Sequence, residues 1–239
     1  MIHRNLFIIL TMLPLTTLGT HASEGVILLH GLCRTPGSME KMAKGLSERG
    51  FAVVNQGYPS REKSIAELSE SAISDALEDP RLAECEKIHF VTHSMGGILV
   101  RSYLKRHQLE KLGRVVMLAP PNQGSEVVDK IGYWRIFKAL NGPAGNELGT
   151  GENSVPILLG KVDFELGVIA GDRSINWINS SFMINGPDDG KVSVIGTEVE
   201  GMKEQAVVHS THPMIMKKKQ VIELTAGFLK NGSFVGEGK

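Results

Sequence analysis

Ser94 is the residue of the chain best suited to nucleophilic chemistry. It lies between an apolar run, IHFVT (88–92), that predicts a strand and a run of helical period that follows Gly97. A sharp turn from strand to helix projects a serine hydroxyl above the edge of a sheet and aims the next amide, that of Met95, at a developing oxyanion. Attack of Ser94 on a carbonyl carbon is the chemistry that this arrangement would perform. The turn alone is a weak signal, because x-x-Ser-x-Gly recurs by chance.

His30 and Gly31 lie at the end of the first predicted strand, where the adjoining loop has to supply a second oxyanion donor. That donor would be the amide of Leu32, and Gly31 lets the backbone come close. Four further polar residues follow predicted strand ends and are candidates to border the same pocket: Arg34, Tyr58, Asn122 and Gln123. For Arg34, hydrogen bonds that fix the oxyanion loop are favoured over contact with the substrate.

The elements that must position these residues alternate along the chain. Apolar runs of strand length alternate with segments of helical period, which predicts a parallel sheet covered on both faces. We predict strands at Val26–His30, Phe51–Asn55, Ile88–Thr92, Arg114–Ala119, Leu166–Ala170 and Lys191–Ile195. We predict helices at Met39–Leu46, at Ser64–Leu77 from a capping box, at Gly97–Leu104, and from about Pro213 to Lys230 with Asn231-Gly232 as the stop signal.

The segment 122–163 is the irregular part of this pattern, because glycine and proline interrupt it repeatedly. An insertion of this kind is a candidate lid or cap over a binding site, and a tolerated surface loop is the alternative. Its apolar residues favour packing on the sheet over presentation to lipid: Ile131, Tyr133, Trp134, Ile136, Phe137 and Leu140.

Taken together, His30-Gly31 and the run VTHSMGG (91–97) resemble the α/β-hydrolase fold. The segments HGLCRTPGSM, YPSR, FVTHSMGGILVR, LAPPNQGSEV and GPDDGKVSV are similar to those of small bacterial lipase/esterase-like serine hydrolases, and the resemblance covers most of residues 24–230. It implies a mostly parallel sheet of about six strands flanked by helices, in a minimal form with a short cap or lid segment. One departure is Thr92, which stands where the usual G-x-S-x-G motif has its first glycine.

The resemblance also implies a catalytic triad in the chain order serine, acid, histidine. His212 matches the family's pattern before the last helix, and His209 is the alternative. Asp189, directly before Gly190, matches the position of the acid, with Asp172 and Asp188 as competitors. Ser94, Asp189 and His212 would then be the catalytic residues, and the amides of Leu32 and Met95 would form the oxyanion hole.

The first 22 residues predict a secretory signal peptide. Met1–Asn5 carries one arginine and no acid, an apolar run extends to about Leu18, and cleavage before Ser23 fits the small residues Thr20 and Ala22. We therefore expect a secreted or periplasmic protein in which residues 23–239 form a single domain.

Composition narrows the choice of partner. Basic and acidic residues number 26 each and aromatic residues make up 5%, which argues against a nucleic-acid-binding protein. The implied substrate is a small-molecule or lipid ester, with transient contact with a lipid surface as an option. The implied chemistry needs no cofactor, and the sequence has no pattern of metal ligands.

A serine esterase or lipase is thus the function that the resemblance implies. An acyltransferase on the same fold and a non-catalytic binding module are the alternatives.

Overall fold

A computed structural model describes residues 24–131, 135–174 and 186–235. The predicted signal peptide, residues 1–22, lies outside the described residues and stays a prediction. The apolar cluster predicted in segment 122–163 also lies outside them, because no side chain of residues 130–140 is described.

A parallel sheet forms the centre of the molecule. Its strands are β1 Glu24–Leu29, β2 Ala52–Gln56, β3 Lys87–His93, β4 Leu112–Leu118, β5 Leu166–Gly171 and β6 Glu204–Val208. Among the described residues these six strands lie in the order β2-β1-β3-β4-β5-β6, and every neighbouring pair is parallel. The prediction of a parallel sheet of about six strands is therefore confirmed.

Helices cover both faces of the sheet, as the continuous apolar strands require. They are α1 Glu40–Ser47, α2 Ile65–Leu77, α3 Met95–Leu104, α4 Glu126–Ile131, α5 Arg135–Asn146, α6 Val155–Leu158 and α7 Lys219–Asn231. Ile27 and Leu29 of β1 pack with α2 and α3, whereas Val26 and Leu28 pack with α1 and α7. Alternate residues of one strand thus feed two separate cores, which fixes the register of the sheet.

Local signals place several helix ends where the sequence predicts them. The Ser64 hydroxyl accepts from the amide of Glu67 while the Glu67 carboxylate accepts from the amide of Ser64, which is the predicted capping box at the start of α2. At the end of α7, Gly232 adopts the left-handed conformation with φ 73°.

The predicted strand at Lys191–Ile195 is wrong. The chain there turns back on itself, with an antiparallel bridge between Asp188 and Ser193 and a 3₁₀ turn over Ile195–Thr197. The amides of Lys191 and Val192 donate to the Asp189 carboxylate instead of joining a strand ladder.

The true last strand, Glu204–Val208, is a half-buried edge strand that opens with two polar residues, so it lacks a continuous apolar run. The last helix also begins later than predicted, at Lys219, because a 3₁₀ turn over Ile215–Lys217 precedes it.

The irregular segment 122–163 forms the short helices α4, α5 and α6, and α5 is interrupted at Gly142, where φ is 67°. The buried guanidinium of Arg101 links this segment to α3, the helix that carries Arg101. It donates to the carbonyl oxygens of Asn122, Pro156 and Gly160, and burial lowers the pKa of Arg101 to about 10, so the group stays charged at neutral pH. In the part of the chain that the structure describes, no helix is long and apolar enough to cross a membrane.

Candidate active site

Ser94 occupies the sharp turn between β3 and α3. Its backbone has φ 53° and ψ −125°, a region that few residues other than glycine adopt. The amide of Ser94 donates to the carbonyl of Leu118 at 2.9 Å, which fixes the turn against the end of β4. The turn brings Ser94, half-buried, to the wall of a cavity. Backbone strain at a residue that lines a cavity is a feature of functional sites.

Two glycines allow the chain to pack closely around this turn. A Cβ atom on Gly96 would lie 2.7 Å from the carbonyl oxygen of Leu29, so only glycine lets α3 begin so near the end of β1. A Cβ atom on Gly31 would lie 2.9 Å from Nδ1 of His93 and 3.0 Å from Cβ of Ser94. Gly31 therefore lets the loop after β1 lie directly against the serine turn.

Asp189 and His212 form a buried pair beside the serine. Nδ1 of His212 lies 2.7 Å from Oδ2 of Asp189, and the amide of His212 donates to the carbonyl of Asp189 at 2.9 Å. The other carboxylate oxygen, Oδ1, accepts from the amides of Lys191 and Val192, each at 3.0 Å. Because a carboxylate accepts, the proton of the neutral imidazole lies on Nδ1, and Nε2 keeps the lone pair that a general base needs.

The predicted oxyanion donors lie on the two sides of the Ser94 turn. Met95 is the first residue of α3, so its amide has no acceptor within the helix. Leu32 lies in the loop after β1, which is held by its neighbours. The amide of Cys33 donates to the Ser60 hydroxyl at 3.1 Å, and the amide of Arg34 donates to the carbonyl of Gly31 at 3.2 Å.

Ser94 and His212 line the same cavity, of about 290 Å³, with Leu32 in its wall. Asp189 is not part of the wall and lies behind His212. The remaining lining residues come from the loop after β1, from the end of β3, from segment 121–148 and from the Asp189 loop: Gly31, Cys33, Arg34, His93, Pro121, Ser125, Val127, Val128, Asn141, Leu148, Lys191 and Val192. The cavity thus combines an apolar wall with a serine and a histidine that a carboxylate orients, which suits acyl transfer.

His93 supports the loop that carries His212, a role that the sequence did not reveal. Nε2 of His93 lies 3.0 Å from the carbonyl oxygen of His212, and the two ring centroids are 4.8 Å apart. Since a carbonyl only accepts, Nε2 is the protonated nitrogen. Burial lowers the pKa of His93 well below 6.5, and the charges of His212 and Arg34 lower it further. His93 is therefore neutral at neutral pH.

Tyr58 supports the loop after β1 in a similar way. Its ring stacks on that of His30, with centroids 4.1 Å apart, and its hydroxyl donates to the carbonyl of His30. Burial raises the pKa of Tyr58, so the hydroxyl keeps its proton and acts as a donor. The run YPSR (58–61), which also supplies Ser60, thus holds the loop that carries Leu32.

The other candidates from the sequence lie elsewhere. Asp188 accepts from the amide of Gly190 at 2.6 Å, and Asp172 pairs with His209 at 3.0 Å on the surface. Asn122 and Gln123 do not line the cavity of Ser94. Asn122 is buried against Arg101 and the carbonyl of Thr197, and Gln123 donates to the carbonyl of Ile195. Within the described ranges, no group of three or more His, Cys, Asp or Glu residues is arranged to hold a metal ion.

Comparison with known proteins places this chain in a family. Residues 25–153, more than half of the chain, match the model of a family described as palmitoyl protein thioesterase. The chain belongs to the palmitoyl protein thioesterase family. The part of the chain that matches the palmitoyl protein thioesterase model contains Leu32 and Ser94 and ends before Asp189 and His212. No curated protein has a matching sequence.

Several solved structures are similar to this member of the palmitoyl protein thioesterase family. A Bacillus licheniformis lipase in its mature form has a TM-score of 0.67 at 17% identity, over 89% of this chain and 93% of the lipase. A Legionella pneumophila phospholipase has a TM-score of 0.61 at 19% identity, over 74% of this chain and 46% of the phospholipase. A metagenomic carboxyl esterase has a TM-score of 0.59 at 16% identity, over 80% of this chain and 65% of the esterase.

At these identities the likeness shows the fold alone. The chain has the α/β-hydrolase fold of lipases and esterases, which confirms the expectation from its sequence motifs.

Proposed function

We propose that the protein is a serine hydrolase that cleaves carboxylic esters through a Ser94-Asp189-His212 triad. The observation that carries the proposal is the buried pair of Asp189 and His212, whose histidine lines the same cavity as the strained Ser94. Asp189 holds the imidazole in the tautomer that leaves Nε2 basic.

The reaction has two steps. His212 Nε2 takes the proton of the Ser94 hydroxyl as Oγ bonds to the carbonyl carbon, and the amides of Leu32 and Met95 stabilise the negative oxygen of the tetrahedral intermediate. His212 then returns the proton to the departing alcohol, which leaves an acyl group on Ser94. In the second step a water molecule gives a proton to His212, attacks the acyl carbon and releases the acid, and Ser94 regains its proton.

Thioesters are the second candidate substrate class, and membership of the palmitoyl protein thioesterase family favours them. The same triad serves both classes, because the acyl-enzyme is the same and only the leaving group differs. Apolar side chains of Leu32, Val127, Val128 and Leu148 in the cavity wall support an acyl group as the ligand in either case.

The test is fluorophosphonate labelling of the full chain, followed by turnover of 4-nitrophenyl esters and matched thioesters of increasing acyl length. The comparison is between Ser94→Ala and Ser47→Ala, which makes the same change on the exposed end of α1. The proposal predicts that labelling and turnover are lost in Ser94→Ala and kept in Ser47→Ala. A folded wild-type protein that neither labels nor turns over any ester or thioester would overturn it, and the binding-module alternative would then stand.

A further inference from the structure

The charged side chains in the wall of the Ser94 cavity carry one sign. Among the described residues that line it, Arg34 and Lys191 are cationic, and none is an aspartate or a glutamate. The chain as a whole has a formal charge of zero, so this local excess is not a consequence of a basic protein.

The two cations come from the two loops that flank the reaction centre. Arg34 is two residues beyond Leu32, in the loop after β1. Lys191 is two residues beyond Asp189, and its own amide donates to the Asp189 carboxylate. A substrate in the cavity would therefore meet both cations close to its scissile bond.

Both side chains are available to a ligand. Arg34 and Lys191 are exposed, and neither forms an ion pair with a carboxylate of the described residues. Most other arginines of the described chain do have partners. Arg81, Arg106 and Arg114 pair with acids, and Arg101 donates to carbonyl oxygens.

Asp189 lies in the same loop as Lys191, and its charge is already satisfied. Its carboxylate accepts from His212 and from two backbone amides, and it lies behind the imidazole instead of in the cavity wall. Arg34 is also close enough to His93 to lower its pKa, which places this cation near the Ser94 turn.

Much of the remaining wall is apolar. Val127, Val128 and Leu148 of segment 126–148 face the cavity together with Leu32 and Val192. An apolar wall beside two unpaired cations is complementary to an amphiphile with an anionic group near its hydrocarbon part.

We propose that Arg34 and Lys191 form an anion subsite, and that the preferred substrates are acyl esters or thioesters that carry a carboxylate or a phosphate. The inference rests on the proposed function and deepens it. The anion would lie on the acyl side or on the leaving-group side of the scissile bond, and the two arms of the test distinguish these sources.

The test compares substrates that differ in charge. For the acyl side, the 4-nitrophenyl monoester of glutaric acid is compared with 4-nitrophenyl butyrate. For the leaving-group side, butyryl-coenzyme A is compared with the neutral thioester butyryl-N-acetylcysteamine. In at least one pair we expect kcat/KM of the charged member to fall about fivefold in Arg34→Gln or in Lys191→Gln, the size of one partly exposed ion pair, and about 25-fold in the double variant. The same changes should have a smaller effect on the neutral member of that pair.

Two controls isolate charge at the subsite. Lys41→Gln removes an exposed cation from α1, outside the cavity, and should leave the charge preference of the enzyme intact. Added sodium chloride should lower the ratio of kcat/KM for the charged substrate to kcat/KM for the neutral substrate in the wild type, because salt screens exposed charges. Equal responses of charged and neutral substrates in both pairs, with hydrolysis still dependent on Ser94, would overturn the anion subsite and leave the proposed function in place.

A binding measurement keeps the inference testable without turnover. By calorimetry, Ser94→Ala should bind octyl phosphate more tightly than octanol, and the added Arg34→Gln and Lys191→Gln changes should abolish the difference. Charge-dependent binding without hydrolysis of any ester would support the subsite and contradict the proposed function. Equal binding of the two ligands to Ser94→Ala would contradict the subsite.

Discussion

The described residues contain two aspartate–histidine pairs after strands β5 and β6, and only one of the two includes a residue that lines the Ser94 cavity. Asp189 and His212 are 2.7 Å apart, with 1% and 10% of their side chains exposed. Asp172 and His209 are 3.0 Å apart, with 36% and 73% exposed. The residue types and the contact are the same, so the surroundings decide what each pair can do.

The exposed pair follows directly from strand register. Gly171 of β5 is paired with Val208 of β6, so the next residues, Asp172 and His209, are neighbours at the end of the sheet. Water surrounds both groups, which weakens their attraction and competes for their hydrogen bonds.

The buried pair depends on a turn instead of on a strand. The chain folds back after Asp189, and the amides of Lys191 and Val192 donate to its carboxylate. These donors and the exclusion of water fix the imidazole of His212 in one orientation towards the cavity. Two features therefore distinguish a candidate catalytic pair from a surface ion pair. They are the amides that donate to its carboxylate and the cavity that its imidazole lines.

We expect the largest difference in activity between the two pairs when each histidine is replaced separately. We expect His212→Ala to lower kcat for ester hydrolysis by about 10⁶, because the general base is lost. His209→Ala should stay within about twofold of the wild type, since the exposed side chain touches only Asp172 among the described residues. The measurement is steady-state turnover of 4-nitrophenyl butyrate. A loss in His209→Ala as large as that in His212→Ala would reverse the assignment.

Neutralising the acids should give the next largest difference. Asp189→Asn keeps the shape of the side chain and favours the wrong tautomer of His212, so we expect kcat to fall by about 10⁴. Asp172→Asn should be close to the wild type under the same assay. Activity close to that of the wild type in both variants would mean that neither carboxylate orients the base.

Stability against pH should report the burial of His93, which lies against the loop of the buried pair. Burial, with smaller effects of His212 and Arg34, lowers the pKa of His93 well below its ordinary value of 6.5. Between the folded and the unfolded pKa only the unfolded chain binds the proton. The free energy of unfolding therefore falls as the pH drops below about 6.5, by about 1.4 kcal/mol per pH unit for this group.

Urea unfolding between about pH 5 and pH 7 checks this expectation. His93→Gln should reduce the slope most at the acid end of this range, by up to about 1.4 kcal/mol per pH unit, whatever its effect on stability at neutral pH. An unchanged slope in His93→Gln would contradict a neutral, buried His93.

Loss of the exposed pair should have the smallest effect. The combined change of Asp172→Asn and His209→Gln should alter the free energy of unfolding by less than about 1 kcal/mol, as for other exposed ion pairs. Urea unfolding at neutral pH measures it. A loss of several kcal/mol would mean that this pair is a structural element of the sheet edge.

Much of the fold could be predicted from the sequence, because its signals are local. Each of the strands β1 to β5 contains an apolar run, and the capping box of α2 and the glycine after α7 mark helix ends. The last strand could not be found in the same way. The strand Glu204–Val208 is only partly buried, and its polar residues Glu204 and Gln205 interrupt the apolar pattern. The Asp-Gly turn before Lys191 has the residue types that commonly precede a strand, although no strand follows it.

Part of the candidate site could be predicted from the sequence. Ser94 stands in a recognisable strand-to-helix turn, so its place in the fold follows from its neighbours in sequence. The choice between the two aspartate–histidine pairs depends on contacts between residues 23 positions apart in one pair and 37 in the other, and residue types alone do not encode such contacts. Two further contacts could not be predicted for the same reason. His93 contacts the carbonyl of His212, and Tyr58 donates to the carbonyl of His30.

The most direct test of the central claim is to trap the acyl-enzyme. The full chain is mixed rapidly with 4-nitrophenyl butyrate and quenched in acid, and peptide mass spectrometry then locates the butyryl group. Ser94 should carry the group in the wild type and in His209→Ala, and no acyl-enzyme should form on that timescale in His212→Ala. A butyryl group on another residue, or equally fast acylation of Ser94 in His212→Ala, would contradict the account.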